Sequence, residues 1–165
     1  MFVRSLELKI PPLVWALLYA TLMKACQVWF PELTLALPFG PYFWPILVGL
    51  GLSLCVGGVQ SFRSAKTTID PRHPERVSAV VDSGLYGVTR NPMYVGMMLV
   101  LLGWAVHLEN VPAFLTVGLF VATVTQFQIR PEERALEERF GEAYLDYRRR
   151  VPRWLFRLTE EDLEL

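Results

Sequence analysis

Hydrophobic and polar positions fall into long separate blocks along this chain. Two apolar stretches lie before residue 62 and two more between residues 93 and 129, with most charged residues between or after them. A bilayer core of about 30 Å takes roughly 20 helical residues to cross. That length predicts four spans, at about 12–30, 42–62, 93–107 and 112–129. The last two are short for a full crossing, so they either extend into polar flanks or lie obliquely. Pro11 and Pro12 suit the start of the first span, where proline forfeits no helical hydrogen bond, and Pro31 suits its end. Lys24 and Gln27 interrupt it; such residues face the bundle interior, line a cavity or snorkel. The second span carries Gly49, Gly51, Gly57 and Gly58, and small residues let membrane helices approach closely. No strand precedes Gly49-Leu50-Gly51, so these glycines are not a dinucleotide fingerprint.

Beyond Pro131 the period changes. Leu136, Phe140, Tyr144, Tyr147 and Val151 recur at spacings of four, four, three and four, which predicts an amphipathic helix over about 131–150. Pro131 fits its first turn, and Glu132 and Glu133 complement the positive end of its dipole. Arg148, Arg149, Arg150, Arg153 and Arg157 cluster near its end with Trp154 and Phe156. We read it as lying against the membrane surface; the alternative is a solvated basic end, toward which the acidic Glu160-Glu161-Asp162 tail leans. The expected fold is all-α: one integral membrane domain over 1–165, with four transmembrane helices and a C-terminal amphipathic cytoplasmic helix.

Composition sharpens this picture. The chain is 53% hydrophobic and 19% charged, and its 16 basic and 16 acidic residues cancel. A balanced charge offers no electrostatic footprint for nucleic acid. Cys26 and Cys55 sit singly in apolar stretches, which excludes a zinc motif or a disulfide framework and predicts buried small hydrophobes. The first apolar run continues into Trp29-Phe30-Pro31 without a small-residue cleavage site, and reads as a retained anchor. Basic residues then set the orientation. Arg4 and Lys9 precede the first span; Arg63, Lys66, Arg72, Arg76 and Arg90 fill the 63–91 connector; eight arginines follow residue 129; the 31–41 and 108–111 loops have none. The positive-inside rule puts both termini and the connector in the cytoplasm. The connector is also long for a small bundle, which points to function.

Two polar clusters then share the cytoplasmic mouth of the bundle, Tyr86 to Tyr94 and Glu132 to Arg139. Glu132 and Arg139 are seven apart and share a helix face. Carboxylates accept from ribose hydroxyls or an amino group, arginine forks onto a carboxylate, and Pro92 frees backbone groups. A ligand with amino, carboxylate and ribose groups suits this mouth. The plainer alternative is local: Asn91 caps a helix, and Glu132-Glu133 is ordinary first-turn chemistry.

Arg90-Asn91-Pro92-Met93-Tyr94-Val95-Gly96 resembles the Arg-His/Asn-Pro-x-Tyr-x-Gly signature of the isoprenylcysteine carboxyl methyltransferase and phospholipid methyltransferase superfamily. Phe62, Ala65, Thr67, Thr68 and Pro71 resemble the segment before it, and Val80-Val81-Asp82-Ser83-Gly84-Leu85-Tyr86 its lead-in. Pro131-Glu132-Glu133-Arg134-Ala135-Leu136-Glu137-Glu138-Arg139-Phe140-Gly141-Glu142-Ala143-Tyr144 resembles the C-terminal motif, continuing to Tyr147 and Val151-Pro152-Arg153-Trp154. The likeness covers about residues 60–155. It implies a membrane-helical methyltransferase dependent on S-adenosylmethionine, in the bacterial inner membrane, acting on a lipophilic or lipidated acceptor. By resemblance, Tyr86, Arg90, Asn91, Pro92, Tyr94, Glu132 and Glu133 bind the cofactor or order its site. Arg139 supplies substrate-side electrostatics, and Glu133 is the candidate base for an amine or thiol acceptor. The sulfonium methyl is already activated, so the reading calls for no metal ligands. Asn91 stands where eukaryotic members have histidine, which excludes a titrating group there. Gly87 stands where many relatives have arginine. Arg72-His73-Pro74 mimics the signature without the Tyr-x-Gly and reads as connector. Two other classes compete: a nicotinamide-dependent membrane isoprenoid or sterol reductase, and a non-catalytic membrane partner of the same fold.

Overall fold

The computed structural model describes residues 7–64 and 80–155. Arg4, the connector residues Lys66, Arg72-His73-Pro74 and Arg76, the resemblance positions Ala65, Thr67, Thr68 and Pro71, and Phe156, Arg157 and the acidic tail lie outside them. Among the described residues the fold is all-helical: α1 (Pro12–Trp29), α2 (Gly40–Ser64), α3 (Pro92–Leu108), α4 (Val111–Val124), α5 (Arg130–Phe140) and α6 (Glu142–Arg150). One isolated bridge pairs Thr34 with Asn110. Helices stand at all four apolar stretches. Two are long and apolar enough to cross a membrane: α2, and the continuous helix Val111–Phe140 that contains α4 and α5; α3 is a shorter apolar helix.

α3 is the central element, flanked by α2 on one side and by α1 and α4 on the other. Glycine sets the α2–α3 distance. A Cβ on Gly51 would lie 2.5 Å from the Gly96 carbonyl oxygen, one on Gly96 2.5 Å from the Gly51 oxygen, and one on Gly103 2.9 Å from the Trp44 oxygen. Gly58 lies against the flexible Met93 side chain rather than backbone. The pairs 44–103, 51–96 and 58–93 run in opposite directions, so the helices are antiparallel. The glycines of α2 divide by position: Gly51 and Gly58 face α3 and Gly57 faces Leu85, whereas Gly49 faces open space. On the other side of α3, Met23, Leu101, Ala105, Phe120, Val124 and Ile129 form the apolar core.

Gln27 of α1 turns toward α3, whereas Lys24 is exposed. Gln27 Nε2 donates to the Leu108 carbonyl at 3.0 Å, and its Oε1 accepts from Lys24 Nζ at 2.6 Å. The carbonyls at the end of α3 lack helical donors, and Gln27 serves one of them. The α3–α4 turn closes through Glu109 in the left-handed region (φ 49) and through Asn110, which donates to the Phe30 carbonyl at 3.0 Å. Cys26 and Cys55 are half-buried rather than fully buried; Cys55 reaches the Met93 carbonyl at 3.4 Å.

Two expectations for the C-terminal third are corrected. First, Pro131 does not start a new helix, because the chain stays helical from Val111 to Phe140. A π turn at Thr125–Ile129 absorbs the proline: the Arg130 N–H reaches the Thr125 carbonyl, five residues back. Proline has no N–H to give the Phe127 carbonyl, and the Leu8 N–H supplies that donor at 3.0 Å. Second, the helix expected over 131–150 is two helices, α5 and α6, broken at Gly141. Its φ of +53 suits glycine and disfavours residues with a Cβ. The break folds α6 back, so Tyr144, Tyr147 and Val151 bury against Val80, Leu136 and Phe140. The apolar stripe read as a membrane-facing surface is covered by the protein itself.

Gly51→Ala is therefore expected to destabilise the protein by about 1–3 kcal/mol, through forced separation of two backbones. Gly49→Ala removes a helix-weakening glycine where there is room, and leaves stability unchanged or raised. Thermal unfolding of both variants in detergent checks the contrast.

Candidate functional site

The segment before α3 is built to be gripped. A 3-10 turn at Gly84–Gly87 buries Tyr86, whose ring meets the Phe62 ring edge-on at 5.1 Å. Tyr147 Oη donates to the Tyr86 carbonyl at 2.8 Å. The next three residues bind the strand of chain after α6. Thr89 Oγ1 and Asn91 Nδ2 donate to the Arg153 carbonyl at 3.1 and 3.0 Å, and the Arg90 N–H donates to the Pro152 carbonyl at 2.9 Å. Asn91 thus occupies the cap position of α3 without its side chain capping the helix. That corrects the plain capping reading. Pro92, at the first helical position, is buried.

Glu133 lies at the centre of an ion cluster. Arg90 Nη2 reaches its Oε1 at 2.7 Å; Arg153 Nε and Nη2 fork onto Oε1 and Oε2 at 3.0 and 2.6 Å. The Arg90 and Glu133 side chains are 7% and 9% exposed, so neither charge is relieved by water. Arg90 Nη1 also donates to the Val151 and Arg148 carbonyls at 2.6 and 3.1 Å. Burial alone would raise the Glu133 carboxyl, but hydrogen bonds and charge from Arg153 and Arg90 outweigh it and hold Glu133 below the usual glutamate value. The Arg90 fork, expected to face a ligand, is committed to the protein. Glu133, expected as a base, is a poor one.

Its neighbour differs. Glu132 is half-buried and accepts from Tyr94 Oη at 2.6 Å. Burial raises its carboxyl to about 8; the Tyr94 bond lowers it and the Glu133 charge raises it further. Among the described residues only Oε1 of Glu132 is engaged. The two motifs thus meet twice, through Tyr94–Glu132 and Arg90–Glu133. A half-buried carboxylate with a free oxygen beside Tyr94 and Tyr86 suits a ligand that brings hydroxyl or amino donors. Arg139 lies apart: it is exposed, its guanidinium 5.8 Å from the Phe140 ring centroid. Sequence reasoning gave no site role to Arg153, Thr89 or Tyr147. For Arg153 the available signal was its place in the Val151-Pro152-Arg153-Trp154 stretch of the resemblance.

Residues 42–143 match the family described as phospholipid methyltransferase. This chain belongs to the phospholipid methyltransferase family. An uncharacterized protein of Haemophilus influenzae is 44% identical over 63 residues, which are 38% of this chain and 100% of that protein. Protein-S-isoprenylcysteine O-methyltransferase of Mus musculus is 38% identical over 73 residues, 44% of this chain and 26% of that enzyme. The enzyme of the same name from Schizosaccharomyces pombe is 34% identical over 73 residues, 31% of its length. The chain therefore spans under a third of these enzymes. No solved structure matches significantly. In this phospholipid methyltransferase family member, α2 and the helix Val111–Phe140 are long and apolar enough to cross a membrane. The matched region contains Arg90, Tyr94, Glu132 and Glu133, whereas Arg153 lies beyond it.

Removing one arginine from the cluster leaves a buried carboxylate short of partners. Arg90→Met is expected to destabilise by about 3–5 kcal/mol, against about 0.5 kcal/mol or less for Arg139→Met at an exposed position; denaturant titration in detergent separates them. Glu132 gives a pH signature. Between the ordinary value of 4.5 and about 8, the folded protein keeps a proton that the unfolded chain has released. Stability therefore falls as pH rises through that window. Thermal midpoints across this range should decline less steeply in Glu132→Gln than in the unsubstituted protein.

Proposed function

We propose that this chain transfers a methyl group from S-adenosylmethionine to a lipophilic or lipidated acceptor in the bilayer, as an isoprenylcysteine carboxyl methyltransferase-like enzyme. It is one domain crossing the membrane four times, with both termini in the cytoplasm, in a bacterial inner membrane. Its partners are the lipid bilayer and that acceptor; nucleic acid is not among them. The observation that carries the reading is the 2.6 Å hydrogen bond from Tyr94 to Glu132, which joins the two motifs that resemble the methyltransferase family.

The cofactor, when bound, supplies a methyl group on a positively charged sulfur, already activated for transfer. The protein's work is alignment and exclusion of water. Glu132 holds ligand hydroxyl or amino groups at its free oxygen, with Tyr94 fixing the carboxylate and Tyr86 and Pro92 closing the apolar wall. Asn91 fixes the chain through Arg153, and Arg90 and Glu133 hold the mouth in shape. Arg139, exposed near the end of α5, supplies substrate-side charge. A carboxylate acceptor needs no base. For an amine or thiol acceptor, Glu132 replaces Glu133 as the candidate base, since a carboxyl at about 8 is matched to proton transfer near neutral pH.

The test is binding of S-adenosylmethionine to detergent-purified protein, with S-adenosylhomocysteine as competitor. Saturable, competed binding is expected, weakened roughly tenfold by Glu132→Ala through loss of a hydrogen bond to the ligand. A folded protein that binds neither compound, with acceptor lipid added, overturns the reading.

A further inference from the structure

Three polar contacts tie residues 7–10 to the stretch of helix around Glu132 and Glu133. The Leu8 N–H donates to the Phe127 carbonyl at 3.0 Å, Gln128 Nε2 donates to the Ile10 carbonyl, and Glu7 pairs with Arg134 at 2.6 Å. The first two answer specific defects. Pro131 deprives the Phe127 carbonyl of its helical donor. Gln128 is fully buried, where an amide needs partners; the Ile10 carbonyl serves its Nε2, while Oε1 has no partner among the described residues. Leu8 adopts a left-handed backbone (φ 58), a strained conformation for leucine that the surrounding contacts hold in place.

The helix segment so held is the π turn Thr125–Ile129. A π turn inserts one residue per turn, so gaining or losing it rotates all that follows by about 100°. That is also the angle between Glu132 and Glu133. A one-residue change of register would therefore set the wrong glutamate against Tyr94 and unseat the partner of Arg90.

We propose that residues 7–10 act as a strap that fixes the helical register at the π turn, and that Gln128 is the positioning residue through which the strap sets the aim of Glu132 and Glu133. The strap lies outside the family-matched residues 42–143. Its importance for catalysis rests on the function proposed above; its mechanical role does not.

The test is Gln128→Met, which keeps the volume and removes the donor, read in two ways. Hydrogen exchange of the cofactor-free protein should quicken roughly tenfold in the peptide covering 125–135, with exchange in α2 and α3 unchanged. S-adenosylmethionine binding should weaken by a similar factor, and its pH midpoint should shift as Glu132 loses its register. Unchanged exchange in 125–135, or an equal rise throughout the protein, overturns the strap. Local acceleration with unaltered cofactor affinity and pH midpoint overturns the positioning role. Local acceleration in a protein whose unsubstituted form binds no cofactor upholds the strap and removes the methyltransferase reading instead.

Discussion

The pairing of one buried carboxylate with two guanidinium groups governs the polar half of this molecule. Glu133 stands on α5, Arg90 just before α3 and Arg153 after α6. A buried charge without partners is far more costly than the pair is favourable. The three segments therefore come together as a set. The backbone follows the same logic: Thr89, Arg90 and Asn91 donate to the carbonyls of Pro152 and Arg153, so the closing segment is held by hydrogen bonds as well as by charge. Glu133 supplies architecture, which leaves the adjacent Glu132 as the acid whose state responds to its surroundings.

The apolar half obeys a different constraint. In lipid, apolar surface gives no drive for helices to associate, and contact must come from close packing. Gly51, Gly96 and Gly103 let α2 and α3 touch backbone to backbone. Because Met93 and Tyr94 begin α3, that contact also sets the position of the signature segment. Gly58 packs on Met93 and lies near the Tyr86 hydroxyl, so the packing seam runs into the site.

Much of this was legible in the sequence. Apolar run length gave the positions of α1 to α4 to within a few residues, because helix length follows directly from it. Pro92 marked the start of α3, and the pairing of two motifs pointed to the cluster. The rest was not local. Periodicity finds an apolar stripe but not what covers it, so the Tyr144–Val151 face read as membrane-seeking when it packs on Val80, Leu136 and Phe140. Pro131 read as a start because its missing hydrogen bond is made good by Leu8, 123 residues earlier in the chain. Gly141 gave no hint of the break that its positive φ makes. Arg153 looked like one more surface charge, since only the folded chain shows the carboxylate it meets.

The Arg153 fork also has a consequence for the order in which the protein is made. Translation proceeds from the N-terminus, so all four apolar stretches leave the ribosome before Arg153 does. Until then Arg90 and Glu133 have an incomplete set of partners, and water is the better environment for both. The nascent chain can place its apolar helices while the polar mouth stays open and hydrated. Arg153, translated after them, completes the set of partners around Glu133. The packing of the apolar half and the completion of the ion cluster are thereby ordered by the position of a single arginine.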